Sequence, residues 1–258
     1  MMKLAVLAAL VGSAVAFAPS RQNGRASSTA VGETKSDLEA LAKKLNPVLG
    51  FYDPLNLAEA SFWGTSNEAT IGFLRHSEIK HGRVAMFAFV GYIVHANGIK
   101  FPWAMQMDGT PFPDANGNPP LLWDIVSDTA KWQIFGFIAF LEIWSETSTP
   151  NHKHYMAGGK PGDFPDFTSG PDGLPHPVPF NLYDPFKLSK NMSEEQKERR
   201  LRVELNNGRL AMLGTLGFLS EQCTEGSVPL LKGVVPHYDG EPMAPFVTNY
   251  LGLAWGLN

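Results

Sequence analysis

The sequence has little or none of several features that define common classes of protein. It contains one cysteine, Cys223, among 258 residues, which excludes an internal disulfide framework and a metal site built from cysteines. Its formal net charge is −4 and no basic stripe occurs, which argues against a nucleic-acid partner. It also lacks a nucleophile elbow, a phosphate-binding loop and a cluster of metal ligands, so no enzymatic activity is predicted.

The first 30 residues are predicted to be a two-part leader. Residues 1–16 have a basic start at Lys3, an apolar run and the pattern Ala14-Val15-Ala16, as in a signal peptide. Residues 17–30 contain arginine, serine and threonine without an acidic residue, which is typical of a plastid or mitochondrial transit peptide. The pair resembles the presequences of plastid proteins in algae whose secondary plastids have red ancestry. An ordinary secreted protein with a polar leader is the alternative.

An eleven-residue pattern occurs twice in the remaining part, residues 31–258. EIKHGRVAMFA begins at Glu78 and ELNNGRLAMLG begins at Glu204, with Glu, Gly-Arg and Ala-Met at identical spacing. The residue three after the glutamate is His81 in the first copy and Asn207 in the second. An Asp-Pro turn precedes each copy, in YDPLNL from Tyr52 and in YDPFKL from Tyr183, so the repeated unit is longer than a chance match.

Capping boxes mark the beginnings of two long helices, at Thr65 with Glu68 and at Ser193 with Gln196. Another helix is expected between them, and no convincing run of alternating strand residues occurs. The sequence therefore predicts an all-α protein with long helices over about residues 65–98, 124–146 and 193–222.

Hydropathy alone does not make these membrane helices. The mainly apolar runs 84–96 and 132–141 are shorter than the roughly 20 residues that a spanning helix needs. Periodicity alone favours a soluble helical protein. The repeat changes this interpretation, because it places charged residues inside apolar helices at two corresponding positions.

Each copy of the pattern contains a glutamate and an arginine that cannot pair with each other. Residues five positions apart lie about 140° apart around a helix, so two buried charges at this spacing need partners from elsewhere. The other copy supplies these partners, which predicts a pseudo-twofold crossing with ion pairs between Glu78 and Arg209 and between Glu204 and Arg83.

Local partners are an alternative to this crossed pairing. Arg75 precedes Glu78 by three residues, and Arg200 precedes Glu204 by four. These offsets differ between the copies, so the crossed pairing is favoured. Gly91 and Gly217, which also correspond, are expected to let the two helices approach closely.

The doubled motif, E-x-x-H-G-R-x-A-M and E-x-x-N-G-R-x-A-M, resembles the signature of the chlorophyll-binding light-harvesting antenna family. The Asp-Pro turns belong to the same pattern, and the resemblance covers residues 51–246. It is strongest to the fucoxanthin chlorophyll a/c-binding proteins of diatoms and related algae. The resemblance implies three transmembrane helices, of which the first and third cross.

The resemblance also implies axial ligands for chlorophyll magnesium. Carboxylate, amide and imidazole donors all suit this metal, so a change from histidine to asparagine exchanges one neutral ligand for another. The expected ligands of the two motifs are Glu78, Glu204, His81 and Asn207, with Arg83 and Arg209 balancing the carboxylates. Other candidates are Gln133 and Glu142 on the second helix, and either Glu221 or Gln222 after the second motif.

The function that the resemblance implies is physical and not catalytic. The protein would hold chlorophyll a, chlorophyll c and fucoxanthin or a related xanthophyll in the plastid thylakoid membrane, and would pass excitation energy to a photosystem core and other antenna subunits. A photoprotective member of the same superfamily, which dissipates excitation, is the alternative. A small membrane transporter is disfavoured because the two charge pairs cancel.

We expect the mature chain to begin between about Ala26 and Gly32, after removal of both leader segments in the plastid. N-terminal sequencing of a C-terminally tagged protein purified from its cells checks this expectation. A mature N-terminus at Met1 would contradict the two-part leader.

Overall fold

The computed structural model describes residues 32–149, 152–165, 167, 191–242 and 244–246. Within these residues the regular structure is helical, and β structure is limited to two isolated bridges, Ala104 with Pro111 and Thr149 with His152. The prediction of an all-α fold is confirmed. The predicted leader segments and the turn that begins at Tyr183 lie outside the described residues.

The described residues form the α-helices α1 (Lys35–Leu45), α2 (Asn67–Ala96), α3 (Pro119–Ile125), α4 (Asp128–Ser145) and α5 (Glu194–Cys223), with short 3₁₀ helices at Leu57–Glu59, Phe62–Gly64 and Tyr155–Ala157. The two copies of the repeated motif lie in α2 and α5, which have 30 residues each. At 1.5 Å per residue these two helices are about 45 Å long. In the part of the chain that is described, no helix has both the length and the apolar character needed to cross a bilayer.

The capping box predicted at the beginning of α5 is confirmed. The N–H of Gln196 donates to Ser193 Oγ, and the N–H of Ser193 donates to Gln196 Oε1, both at 3.3 Å. These bonds satisfy backbone and side-chain groups reciprocally at the helix end.

The capping box predicted from Thr65 and Glu68 is wrong, because Ser66 is the cap of α2. The N–H of Ala69 donates to Ser66 Oγ at 3.2 Å. The Thr65 hydroxyl instead donates back to the carbonyl of Phe62 at 2.7 Å. Two adjacent residues were able to cap this helix, and the 3₁₀ turn before it engages the first of them.

The predicted second helix is divided into α3 and α4. α3 ends at Ile125, and Val126 has an extended backbone with φ −61° and ψ 134°. α4 begins at Asp128, and the carbonyl of Ser127 accepts the N–H of Lys131 at 3.1 Å. Serine is a strong helix cap, so Ser127 starts a new helix and the prediction of one helix over residues 124–146 is wrong in its first part.

The chain divides into two compact units, and α2, α4 and α5 each contribute residues to both. The first unit contains the residues up to Val84 together with Glu142–Leu210, and the second contains Ala85–Leu141 and the residues from Ala211 onward.

In the first unit α2 and α5 cross with their backbones in contact at Gly82 and Gly208. A Cβ atom on Gly208 would lie 2.9 Å from the Cα of Gly82, and one on Gly82 would lie 3.1 Å from the Cα of Gly208. These are the glycines of the two Gly-Arg pairs. The expectation that Gly91 and Gly217 provide the close approach is wrong, because a Cβ at either position would meet no atom of the described residues within 4 Å.

In the second unit aromatic side chains join α2 to α5. Phe218 stacks on Tyr92 and on Phe89, with ring centroids 4.4 Å and 5.1 Å apart. The ring of Phe89 also covers Gly214, where a Cβ would lie 2.8 Å from its Cε2 atom. These contacts fix which faces of the two helices meet.

The C-terminal segment of the second unit packs on α3 and on the end of α5. The Tyr238 hydroxyl donates to Asp124 at 2.6 Å, and its N–H donates to the carbonyl of Gln222 at 3.1 Å. The Trp123 indole donates to the carbonyl of Pro245 at 3.0 Å. Burial, followed by the bond to Asp124, raises the pKa of Tyr238.

We expect Gly82→Ala to lower the free energy of unfolding by about 1–3 kcal/mol, which is the usual cost of forcing an extra carbon into a packed contact. Gly91→Ala is the matched control on the same helix, because its new Cβ meets open space and alanine favours the helix by up to about 1 kcal/mol. Thermal unfolding followed by circular dichroism measures both. Equal melting temperatures for the two variants would contradict the glycine contact.

Candidate functional site

Two glutamate–arginine pairs connect α2 and α5 beside the glycine contact in the first unit. Arg209 of α5 places Nε and Nη2 each 2.7 Å from Oε1 of Glu78. Arg83 of α2 places Nε 2.6 Å from Oε1 of Glu204, and its Nη1 donates to the carbonyl of Gly162 at 2.7 Å. The glutamate side chains are 26% and 16% exposed. Each carboxylate is therefore largely shielded from solvent and is balanced by an arginine of the other helix.

Glu78 has a second arginine partner on its own helix. Arg75 donates from Nη1 to Glu78 Oε2 at 3.0 Å and from Nε to Glu33 at 3.1 Å. The crossed and the local pairing therefore coexist at Glu78. Among the described residues, the ion-pair partner of Glu204 is Arg83, and Arg200 forms no ion pair with it.

His81 immediately precedes the crossing glycine of α2, and its side chain is exposed. Its Nδ1 lies 2.8 Å from the carbonyl of Ser77. A carbonyl only accepts, so in the neutral imidazole Nδ1 carries the proton and Nε2 keeps its lone pair. Since Nε2 has no hydrogen-bond partner in the described part of the chain, it is available to a metal.

Asn207 takes the corresponding place before the crossing glycine of α5. Its side chain is half-buried, and the described residues offer it no hydrogen-bond partner. An amide oxygen without a partner at this position is a neutral donor, as the His81 imidazole is. Each motif therefore presents one glutamate, one arginine and one neutral donor at corresponding positions.

Glu142, close to the end of α4, is exposed and has a lysine partner that the sequence analysis missed. Lys80 Nζ lies 2.7 Å from Glu142 Oε2, 2.9 Å from Ser145 Oγ and 3.6 Å from Glu146 Oε1. This repeats the arrangement at the crossing, with a carboxylate balanced by a cation of another helix. The sequence feature that could have predicted this ion pair is the lysine inside EIKHGR, which stands where the second copy has Asn206.

Glu146, just after α4, accepts hydrogen bonds from a second set of polar side chains, which the sequence did not predict. Its Oε2 accepts from His154 Nε2 at 2.7 Å and from the Tyr155 hydroxyl at 2.9 Å, and the Tyr155 ring stacks on His76 at 3.9 Å. Burial opposes the charge of Glu146, but these hydrogen bonds and the charge of Lys80 outweigh it and lower its pKa. Burial, then the bond to Glu146, raises the pKa of Tyr155.

Gln133, the other candidate on α4, belongs to the second unit and is exposed. Its side chain has no hydrogen-bond partner among the described residues. Nothing in its surroundings distinguishes it from an ordinary surface glutamine.

Glu221 and Gln222 are adjacent and each is 1% exposed, but their oxygens differ. Both oxygens of Glu221 accept backbone N–H groups, from Gly226 and from Val228, each at 2.8 Å. Gln222 donates from Nε2 to Asn118 at 3.3 Å, and its Oε1 has no partner. Glu221 therefore shapes the loop after α5, whereas Gln222 has an unused acceptor. A buried acceptor without a partner is uncommon in folded proteins.

Within the described residues, no group of three or more His, Cys, Asp or Glu side chains is arranged to hold a metal ion. Each candidate residue is a single donor. A single donor suits a metal whose other ligands belong to a macrocycle, which needs only an axial ligand from the protein.

A double-mutant cycle tests the ion pairs at the crossing. Because both arginines contact Glu78, we expect coupling energies of about 0.5–3 kcal/mol for Glu78→Leu with Arg209→Leu and for Glu78→Leu with Arg75→Leu. The control cycle, Glu204→Leu with Arg200→Leu, is expected to give less than about 0.5 kcal/mol. Denaturant unfolding supplies the free energies. Coupling between Glu78 and Arg209 at the level of the control would contradict the crossed pair.

Comparison with known proteins shows the family to which the chain belongs. The family described as "Chlorophyll A-B binding protein" matches residues 37–223. The fucoxanthin-chlorophyll a-c binding protein F of Phaeodactylum tricornutum is 35% identical over 219 residues, which is 84% of this chain and 94% of that protein. The fucoxanthin-chlorophyll a-c binding protein of Trieres chinensis is 35% identical over 234 residues, 89% of this chain and 98% of the relative. A protein D of this kind from Macrocystis pyrifera is 33% identical over 66% of the chain and 79% of its own length. The chain belongs to the chlorophyll a/b-binding protein family, as the doubled motif indicates.

Proposed function

We propose that the protein is a light-harvesting antenna, which binds chlorophyll a, chlorophyll c and a fucoxanthin-type carotenoid and passes excitation energy to a photosystem. The observation that carries this proposal is the pair of partly buried carboxylates at the helix crossing, each paired with an arginine of the other helix. The relatives named for fucoxanthin and chlorophyll a and c match nearly their whole length.

The residues present fit chlorophyll as the bound group. Bound chlorophyll supplies the light absorption and the excited state. For this purpose the chain offers oxygen and imidazole donors that suit magnesium. Neutralised carboxylates at Glu78 and Glu204 hold a metal without placing net charge among apolar pigments. The unpaired Nε2 of His81 and the unpaired amide of Asn207 provide neutral donors one residue before each crossing glycine.

Gln222 is the better candidate of the two neighbouring residues after the second motif. Its Oε1 is buried without a partner, whereas Glu221 uses both oxygens on backbone N–H groups. On α4 we favour Glu142 over Gln133, because Lys80 balances its charge in the way that the arginines balance the motif glutamates.

We further propose that α2, α4 and α5 lie in the thylakoid membrane, beside other antenna subunits and a photosystem core. Large apolar side chains of α4 are exposed, of which Ile143 is 72% and Phe137 57% exposed. α5 exposes Leu210 and Leu213 in the same way. Lipid and pigment would cover these side chains, since exposed apolar surface marks contacts with membranes, ligands or other proteins. Carotenoid end groups would lie near the Asp-Pro turns that precede the two motifs.

Reconstitution of the purified chain with chlorophyll a, chlorophyll c and fucoxanthin tests this function. We expect a complex whose chlorophyll a emission is excited by light that fucoxanthin absorbs. A fluorescence lifetime as short as that of a quenched pigment aggregate would indicate dissipation, and failure to retain pigment would contradict the proposal.

Single substitutions test the ligands. His81→Ala and Asn207→Ala are each expected to lose about one chlorophyll while the helices still form, because each removes one donor and no charge. Gln222→Leu should also lose about one, and Glu221→Gln, its neighbour, should lose none. Pigment is quantified per polypeptide after extraction, and circular dichroism verifies the helices. Full pigment content in His81→Ala would contradict its role.

A further inference from the structure

The two motif glutamates differ in one respect that the repeat does not predict. Glu78 has a guanidinium on each carboxylate oxygen, from Arg209 on Oε1 and from Arg75 on Oε2. Glu204 contacts one arginine of the described residues, Arg83, through Oε1. The difference comes from one position, since the residue corresponding to Arg75 in the second copy is Leu201.

The second arginine limits the movement of the Glu78 carboxylate. With a guanidinium on each oxygen, the carboxylate cannot turn about its terminal bond without losing a hydrogen bond of the charge-assisted kind. A carboxylate offers about four lone-pair positions, and Arg209 and Arg75 together occupy most of those on Glu78. Few orientations remain in which the group can bind a metal.

Arg75 is itself held in place from outside the helix pair. Its side chain is 12% exposed, and its Nε donates to Glu33, just before α1, at 3.1 Å. Its Nε and Nη1 therefore bridge two carboxylates, one of the N-terminal segment and one of the crossing. A lysine cannot provide this bridge in the same geometry, because it has a single nitrogen.

We propose that Arg75 is a positioning residue, which clamps Glu78 in one metal-binding orientation and couples the segment before α1 to that pigment site. This rests on the proposed role of Glu78 as a chlorophyll ligand. The Glu78 site is accordingly the more rigid of the two, and its pigment depends on Glu33 through Arg75.

The chain itself suggests the matched variants. Arg75→Leu gives the first motif the residue of the second, and Leu201→Arg does the reverse. Leu201 and Arg75 both line a cavity of about 230 Å³ in the first unit, together with Glu198, so an arginine at position 201 has space and an acidic neighbour. Glu33→Gln keeps Arg75 and removes only its outer partner.

The measurement is the rate at which each chlorophyll leaves the reconstituted protein on dilution into detergent, followed in the absorption bands that Glu78→Leu and Glu204→Leu identify by difference. We expect Arg75→Leu to accelerate loss of the Glu78 chlorophyll by about 10-fold or more, as for other groups that orient a metal ligand. The other chlorophylls should be unaffected. Glu33→Gln should act in the same direction, and Leu201→Arg should slow loss from Glu204.

The outcomes distinguish an error in the proposed ligand set from an error in the positioning role of Arg75. If Glu78→Leu loses no chlorophyll, Glu78 is not a ligand and the proposed ligand set is wrong. If Glu78→Leu loses one, but Arg75→Leu and Glu33→Gln leave its rate and absorption band unchanged, the positioning role is wrong and the function stands. Equal acceleration of all chlorophylls would assign Arg75 a general structural role and would also overturn the proposal.

Discussion

The structure depends on the ion pairs between α2 and α5, in which an arginine of each helix neutralises a glutamate of the other. A carboxylate among apolar neighbours is costly unless a cation meets it, and neither helix can supply that cation from its own motif. Glu78 has an additional partner, Arg75, on its own helix, whereas Glu204 relies on α2. Arg83 and Arg209 reach across because the backbones touch at Gly82 and Gly208. The glycine, arginine and glutamate of the motif act together. The glycine sets the distance between the two helices, and the ion pairs require that distance.

The crossing and its ion-pair partners were predictable from the sequence because the copies share their spacing. The place of closest approach was not, since Gly82 and Gly91 are both repeated at the same interval and only packing distinguishes them. The break before α4 depends on whether Ser127 caps a new helix, and the start of α2 depends on a choice between adjacent caps. Such local competitions are decided by neighbouring contacts that no single-sequence pattern contains.

The hydrogen-bond and ion-pair partners of the candidate side chains distinguish the better ligands from the poorer ones more clearly than residue type does. Glu221 and Gln222 look equivalent in sequence, but the loop after α5 consumes both oxygens of the first and leaves the second unpaired. Glu142 differs from an ordinary exposed glutamate only by its ion pair with Lys80, which follows the motif glutamate by two residues. The carboxylates of Glu78, Glu204 and Glu142 each pair with a cation of another helix, but Glu78 has a second arginine, Arg75, and Glu142 shares Lys80 with Glu146.

A structure of the pigmented protein at high resolution tests the central claim most directly. The account predicts a chlorophyll magnesium about 2.0–2.1 Å from a carboxylate oxygen of both Glu78 and Glu204, with Arg209 and Arg83 still paired to the same carboxylates. A helix crossing with intact ion pairs and no pigment at either glutamate would contradict it, as would pigments bound there with the arginines displaced.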